Sequence, residues 1–130
     1  MLALFILSVV MLFMSTGCQT ISHSLMGDDA FYSVPGGVEG TARFYAKRYE
    51  GRRTTSGEIY RAKKLTAAHP TLPLGTRVKV VNLENNKSVV VKINDRCLEH
   101  EDVFIDLSRE AARQLGFIRQ GKARVRITMI

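Results

Sequence analysis

The chain has 130 residues, with 19 Lys and Arg against 12 Asp and Glu and a formal net charge of +7. The roughly 90 residues from Gly40 onward hold one small domain with one core and not two. The charge favours an anionic polymer as partner, yet no recognised nucleic-acid motif accompanies it, which argues against DNA and RNA. A merely solvated basic surface accounts for the charge as well as a dedicated binding stripe does.

Met1 to Met14 is uncharged and mostly Leu, Ile, Val, Phe and Met, and the chain then turns small through Ser15, Thr16 and Gly17 to Cys18. Such a run falls short of the roughly 20 apolar residues a spanning helix needs and suits the apolar region of a signal peptide. Residues 1–17 are therefore expected to be a lipoprotein-type signal. Ser15 to Cys18 looks like a lipobox, with Cys18 as the lipidated first residue of the mature chain. Gln19 after that cysteine favours delivery to an outer membrane, facing the periplasm. With Cys18 acylated, Cys97 is left as an unpaired thiol. It is free to be buried, to pair between chains or to react. Residues 18–39 contain Ser, Gly and Asp without periodicity and read as a tether, which leaves 40–130 as the folded domain.

Within that domain Gly40 to Tyr45 reads as a first strand. Arg77 to Val80 alternates outward cations with inward valines, and Ser88 to Ile93 places Val89, Val91 and Ile93 on one face. Glu84, Asn85 and Asn86 between them supply turn residues, which predicts a hairpin. Val103 to Ile105 reads as a short buried strand. Ser108 is a good N-cap, Glu110 suits a first helical turn and Gly116 a left-handed C-cap, so one short helix is expected between them. The last segment alternates most cleanly, with Ala123, Val125, Ile127 and Met129 inward. Short strands and one helix argue for a mainly β barrel.

Three ionisable groups sit at the ends of these segments: Glu58 in TSGEIY, His69 in LTAAHP and Asp95 in VVVKINDR. Taken singly each has a structural reading. Asp95 can cap a turn or pair with Arg96, Glu58 can be a solvated turn residue, and His69 a hydrogen-bonded structural histidine.

Together, the segments GTARFYA, GRRTTSGEIY, LTAAHPTLPLGTRVKVVNLENNKSVVVKINDR, FIDLSREAARQLGFI and GKARVRI resemble the rare lipoprotein A family in order and spacing. Its members are septal-ring lytic transglycosylases built on a double-psi β-barrel related to expansins and barwins. The resemblance implies a six-stranded barrel and endolytic cleavage of peptidoglycan strands to 1,6-anhydro ends, without cofactor or metal. It matches Asp95 to the acid of the Asn-Asp-Arg motif, Glu58 to that of the Gly-Glu motif, and His69 to the histidine of the Ala-Ala-His motif. Asp95 is then expected to be the proton donor, with a pKa raised above the usual value by burial. Glu58 is expected across the same groove, and Tyr45 and Arg96 are expected to contact the sugar. The chain departs from the family at Phe44, where Trp is usual, at Arg61, where an acid is common, and at Cys97, which replaces the start of a Gly-Pro. The acidic run Leu98 to Asp102 then takes the place of the usual loop beside the cleft. A glycan-binding module without turnover, as in expansins, is the alternative, and an envelope lipoprotein that recruits division or envelope proteins a third.

Overall fold

The computed structural model describes residues 35–130. The signal segment, Cys18 and the tether up to residue 34 lie outside the described residues. Strands β1 (Val38–Phe44), β2 (Thr66–Ala68), β3 (Arg77–Asn82), β4 (Ser88–Asp95), β5 (Val103–Leu107) and β6 (Ala123–Met129) are joined by one helix, α1 (Arg109–Leu115). They close into a barrel in the order β1-β5-β2-β4-β3-β6. The first strand takes in Val38 and Glu39, which the sequence had assigned to the tether.

The period-two segments behave as their patterns require. In β3 and β6 the alternate residues Val78, Val80, Val125 and Ile127 are all buried, and the two strands pair antiparallel with Val80 opposite Ile127. β3 and β4 form the expected hairpin, with Asn86 at its turn in the left-handed region at φ 59°. Helix α1 is capped as predicted: the Ser108 side chain accepts from Ala111 N, and Gly116 closes the other end at φ 78°. The hairpin turn reaches over to that end, where Asn82 and Asn85 each donate a side-chain N–H to Leu115 O at 2.9 Å. Ala111, Ala112 and Leu115 bury the helix's apolar stripe against the barrel core with Phe117.

Two parallel pairs, β1 with β5 and β2 with β4, set the barrel apart from a simple meander. Each carries an irregularity of the same kind. One step along β2, from Ala67 to Ala68, matches two steps along β4, from Ile93 to Asp95. One step along β1, from Thr41 to Ala42, likewise matches Val103 to Ile105 on β5. A bulge of this kind inserts a residue, bends the strand and re-aims the side chains beyond it. Asn94 and Phe104 are the inserted residues. Phe104 lies over Gly40 so closely that a Cβ there would sit 2.4 Å from its ring, which is why β1 has glycine at that point.

β2 lies between β4 and β5, and its residue Ala68 is in register with Asp95 on one side and Asp106 on the other. Residues in register across neighbouring strands share a face. The barrel therefore sets two aspartates on one face, two strand spacings or roughly 10 Å apart at the backbone.

Candidate active site

Asp95 and Asp106 open into one cavity of about 590 Å³, whose wall includes Tyr45, Tyr60, Arg43 and Ala68. The Asp95 carboxylate is held by four donors. Its Oδ2 accepts from the Tyr45 hydroxyl at 2.6 Å, and its Oδ1 accepts from Thr55 N at 2.9 Å, Thr55 Oγ1 at 2.8 Å and Arg96 N at 2.9 Å. Burial pushes its pKa upward, but the bonds from Tyr45, Thr55 and Arg96 together outweigh that and leave it below the ordinary aspartate value. This corrects the expectation of a raised pKa: the strand exit that half-buries the group also surrounds it with donors to its charged form.

Asp106 behaves in the opposite way. Burial raises its pKa, the Arg43 guanidinium at 3.9 Å and His100 offset that in part, and the charge of Asp95 adds to it, so the net shift is upward. Sequence reading missed this residue. Its signal was present in FIDLS, where an acid stands between Ile105 and Leu107, both fully buried; the strand read from the sequence ended at Ile105, one residue short of it.

Tyr45 lines the cavity as expected, but its ring is not a free platform for a sugar. One face stacks on Tyr60 at 4.4 Å, Tyr49 meets it edge-on at 5.6 Å, and the hydroxyl is committed to Asp95. Burial and the adjacent carboxylate keep that phenol protonated. Arg96 also borders the cavity, yet its Nη1 donates to the carbonyls of His69 and Leu72 at 3.2 and 2.7 Å. Through that nitrogen it clamps the turn after β2.

Glu58 is not among the residues lining the cavity, contrary to its expected position across the groove. It is exposed and ion-paired with Lys92 Nζ at 2.7 Å, which lowers its pKa. Its backbone oxygen accepts from both N and Oγ1 of Thr54 at 2.8 Å, and Ser56 N donates to Asn94 O at 3.1 Å. The pair therefore pins the Thr54–Glu58 turn to β4. That turn presents Thr55 to Asp95.

His69 follows β2, buried at 4% exposure, and lies outside the cavity wall. Its Nδ1 accepts from Thr71 N at 3.1 Å and Leu72 N at 3.0 Å, so a neutral ring carries its proton on Nε2. Burial, and secondarily the Arg96 charge, lowers its pKa to about 4. Between that value and the ordinary 6.5 the unfolded chain binds a proton that the folded chain does not, so stability falls as pH drops through this window. Asp95, also depressed, adds to the loss at still lower pH. Thermal melts from pH 7 to 4 are expected to show the decline. His69→Asn, whose Oδ1 can take over the acceptor role without titrating, flattens it between pH 6.5 and 4.5. An unchanged slope in that variant assigns the dependence to other groups.

Cys97 lines the cavity, as expected for a residue following the β4 exit, and is partly buried. Burial first, and then the charge of Asp106, pushes its thiol up to about 11, which leaves it slow toward electrophiles.

A family model described as "Lytic transglycolase" matches residues 38–127. The endolytic peptidoglycan transglycosylase RlpA of Neisseria meningitidis is 47% identical over 91 residues, 70% of this chain and 38% of that protein. The protein of the same name from Pasteurella multocida is 49% identical over 92 residues, 71% of this chain and 31% of that one. The match thus spans about a third of the length of these curated relatives. Among solved structures, an expansin of Clavibacter michiganensis superposes with a TM-score of 0.58 at 22% identity, covering 71% of this chain and 49% of that chain, a likeness of fold alone. With the model covering residues 38–127, from the start of β1 to Ile127 in β6, and nearly half of the aligned residues identical to these relatives, the chain belongs to the double-psi β-barrel lytic transglycolase family.

Proposed function

We propose that the protein is an endolytic peptidoglycan lytic transglycosylase that cleaves the bond from N-acetylmuramic acid to N-acetylglucosamine and leaves 1,6-anhydromuramyl ends. The observation that carries the reading is the pair Asp95 and Asp106, in register across Ala68 in one cavity, with environments that push their pKa values in opposite directions. Two carboxyls separated in this way supply one proton donor and one fixed anion. The names of the relatives support the substrate class.

Asp106, the carboxyl inclined to hold its proton, gives that proton to the leaving oxygen as the C1–O4 bond breaks. Positive charge then develops at C1 and the ring oxygen. Asp95 stays ionised and stabilises it, held by Tyr45 and Thr55 so that little reorganisation is required. The muramyl C6 hydroxyl attacks C1, and Asp106, now a carboxylate, takes the hydroxyl proton. The proton account closes without water. This assignment moves the donor role from Asp95 to Asp106, while Glu58, through Lys92, and His69 with Arg96 position the segments on either side of Asp95. Incubation of the protein with purified glycan strands, followed by mass spectrometry, is expected to yield anhydro ends. Strands that are bound but left uncleaved replace this reading with the expansin-like one.

We further infer a location in the cell envelope, with the chain anchored through lipid on Cys18. The support is the uncharged apolar run ahead of Ser15 to Cys18. Labelled palmitate should enter the wild type and not Cys18→Ala, and equal labelling of the two rules the anchor out.

A further inference from the structure

A second cavity, of about 580 Å³, lies directly beside the first, and Tyr45, Ala46 and Tyr60 line both. The stacked Tyr45 and Tyr60 rings are thus a wall common to the two adjacent cavities. Their chemistry differs. The first holds the two aspartates, whereas the rim of the second is formed by Lys47, Arg61, Lys63, Lys64 and Arg109, with Glu50 as its one acid.

Glu50 does not neutralise that rim. Its Oε2 accepts from Ala62 N at 2.7 Å and its Oε1 faces Arg61 Nη1 at 3.5 Å. Among the described residues, Lys47, Lys63, Lys64 and Arg109 have no carboxylate within ion-pair distance. Arg109 is instead laid over the Phe44 ring, 5.5 Å from its centroid. Four cations that line one cavity without ion-pair partners repel one another, and an anion brought among them relieves that repulsion. The lysines supply mobile point charges with three donors each.

We propose that this cavity, adjacent to the one that holds the aspartate pair, is a subsite for a carboxylate carried on the glycan strand. The inference rests on the strand-cleaving function proposed above and specifies its substrate: a sugar with a pendant carboxylate rather than a neutral one. Peptidoglycan has two sources of that group. The lactyl ether of a muramyl residue is a free carboxylate once its stem peptide is removed, and an intact stem carries carboxylates of its own.

The test is equilibrium binding to the full chain in mild detergent, in an Asp106→Asn background so that strands are not consumed. Three ligands are compared: short muramyl oligosaccharides with free lactyl carboxylates, the same molecules as lactyl methyl esters, and strands that retain their stems. The expected result is that the acid, or the stem-bearing strand, binds about five- to tenfold more tightly than the ester. The Lys47→Gln/Lys63→Gln double variant removes that preference and leaves ester binding unchanged, while Lys79→Gln, on the far hairpin, alters neither. Preference for the free acid identifies the lactyl group, and preference for the stem-bearing strand identifies the peptide. Equal affinity for all three ligands, or equal weakening of acid and ester in the double variant, overturns the subsite. The cleavage reading fails separately, by the absence of anhydro ends from wild-type digests, whichever ligand is preferred.

Discussion

Asp106→Asn is expected to lower turnover on purified strands by about two to four orders of magnitude, the usual contribution of a positioned general acid, with strand affinity retained. The amide fills the same space on β5 but has no proton to deliver to the leaving oxygen. The residue's surroundings also give the variant a signature that mere structural damage would not have. Burial and the Asp95 charge raise its pKa against the partial offset of Arg43 and His100, so the wild-type kcat/KM should fall as pH rises through that raised value, where the donor loses its proton. In Asp106→Asn this alkaline limb disappears from whatever activity remains. Activity within tenfold of wild type, together with loss of the alkaline limb in Asp95→Asn, would return the donor role to Asp95.

Much of the barrel was legible because its strands have one wet and one dry face. β3 and β6 alternate cations with valine and isoleucine, and alternation announces a strand. The helix was legible from its ends, Ser108 and Gly116. β2 was not, because Thr66, Ala67 and Ala68 are all buried and the strand pairs on both sides, so no alternation marks it. Its omission mattered for the site, since β2 is what sets Asp95 and Asp106 in register.

The site was read less completely than the fold. Asp95 was found as a polar residue leaving an apolar strand, but the sign of its pKa shift depended on Tyr45, fifty residues away in sequence, and on Thr55. Neither bond has a local signal. Glu58, His69 and Arg96 were singled out as residue types capable of chemistry. In the structure their contacts hold the Thr55 turn and the turn after β2. The shared lesson lies in the bulge at Asn94. A strand irregularity that re-aims an acid is invisible in a period-two pattern, yet it decides which groups face the cavity.

Asp95→Asn should lower turnover by about two to three orders of magnitude, the scale expected when a preorganised electrostatic contact to developing charge is lost. The fold should tolerate it. The amide oxygen can keep the Oδ1 position, where Thr55 N, Thr55 Oγ1 and Arg96 N all donate, and the amide nitrogen then faces the Tyr45 hydroxyl, which can rotate to accept. Because Asp95 works as an anion, the wild-type rate should also fall as pH drops through its depressed pKa, and Asp95→Asn should lack that acid limb. Tyr45→Phe provides the graded test. It keeps the ring against Tyr60 but removes the 2.6 Å bond that is the strongest of those lowering the Asp95 pKa. That pKa therefore rises, and the acid limb of kcat/KM moves to higher pH while the alkaline limb set by Asp106 stays close to its place. An acid limb unmoved in Tyr45→Phe and still present in Asp95→Asn belongs to another group, and the anionic role of Asp95 is then wrong.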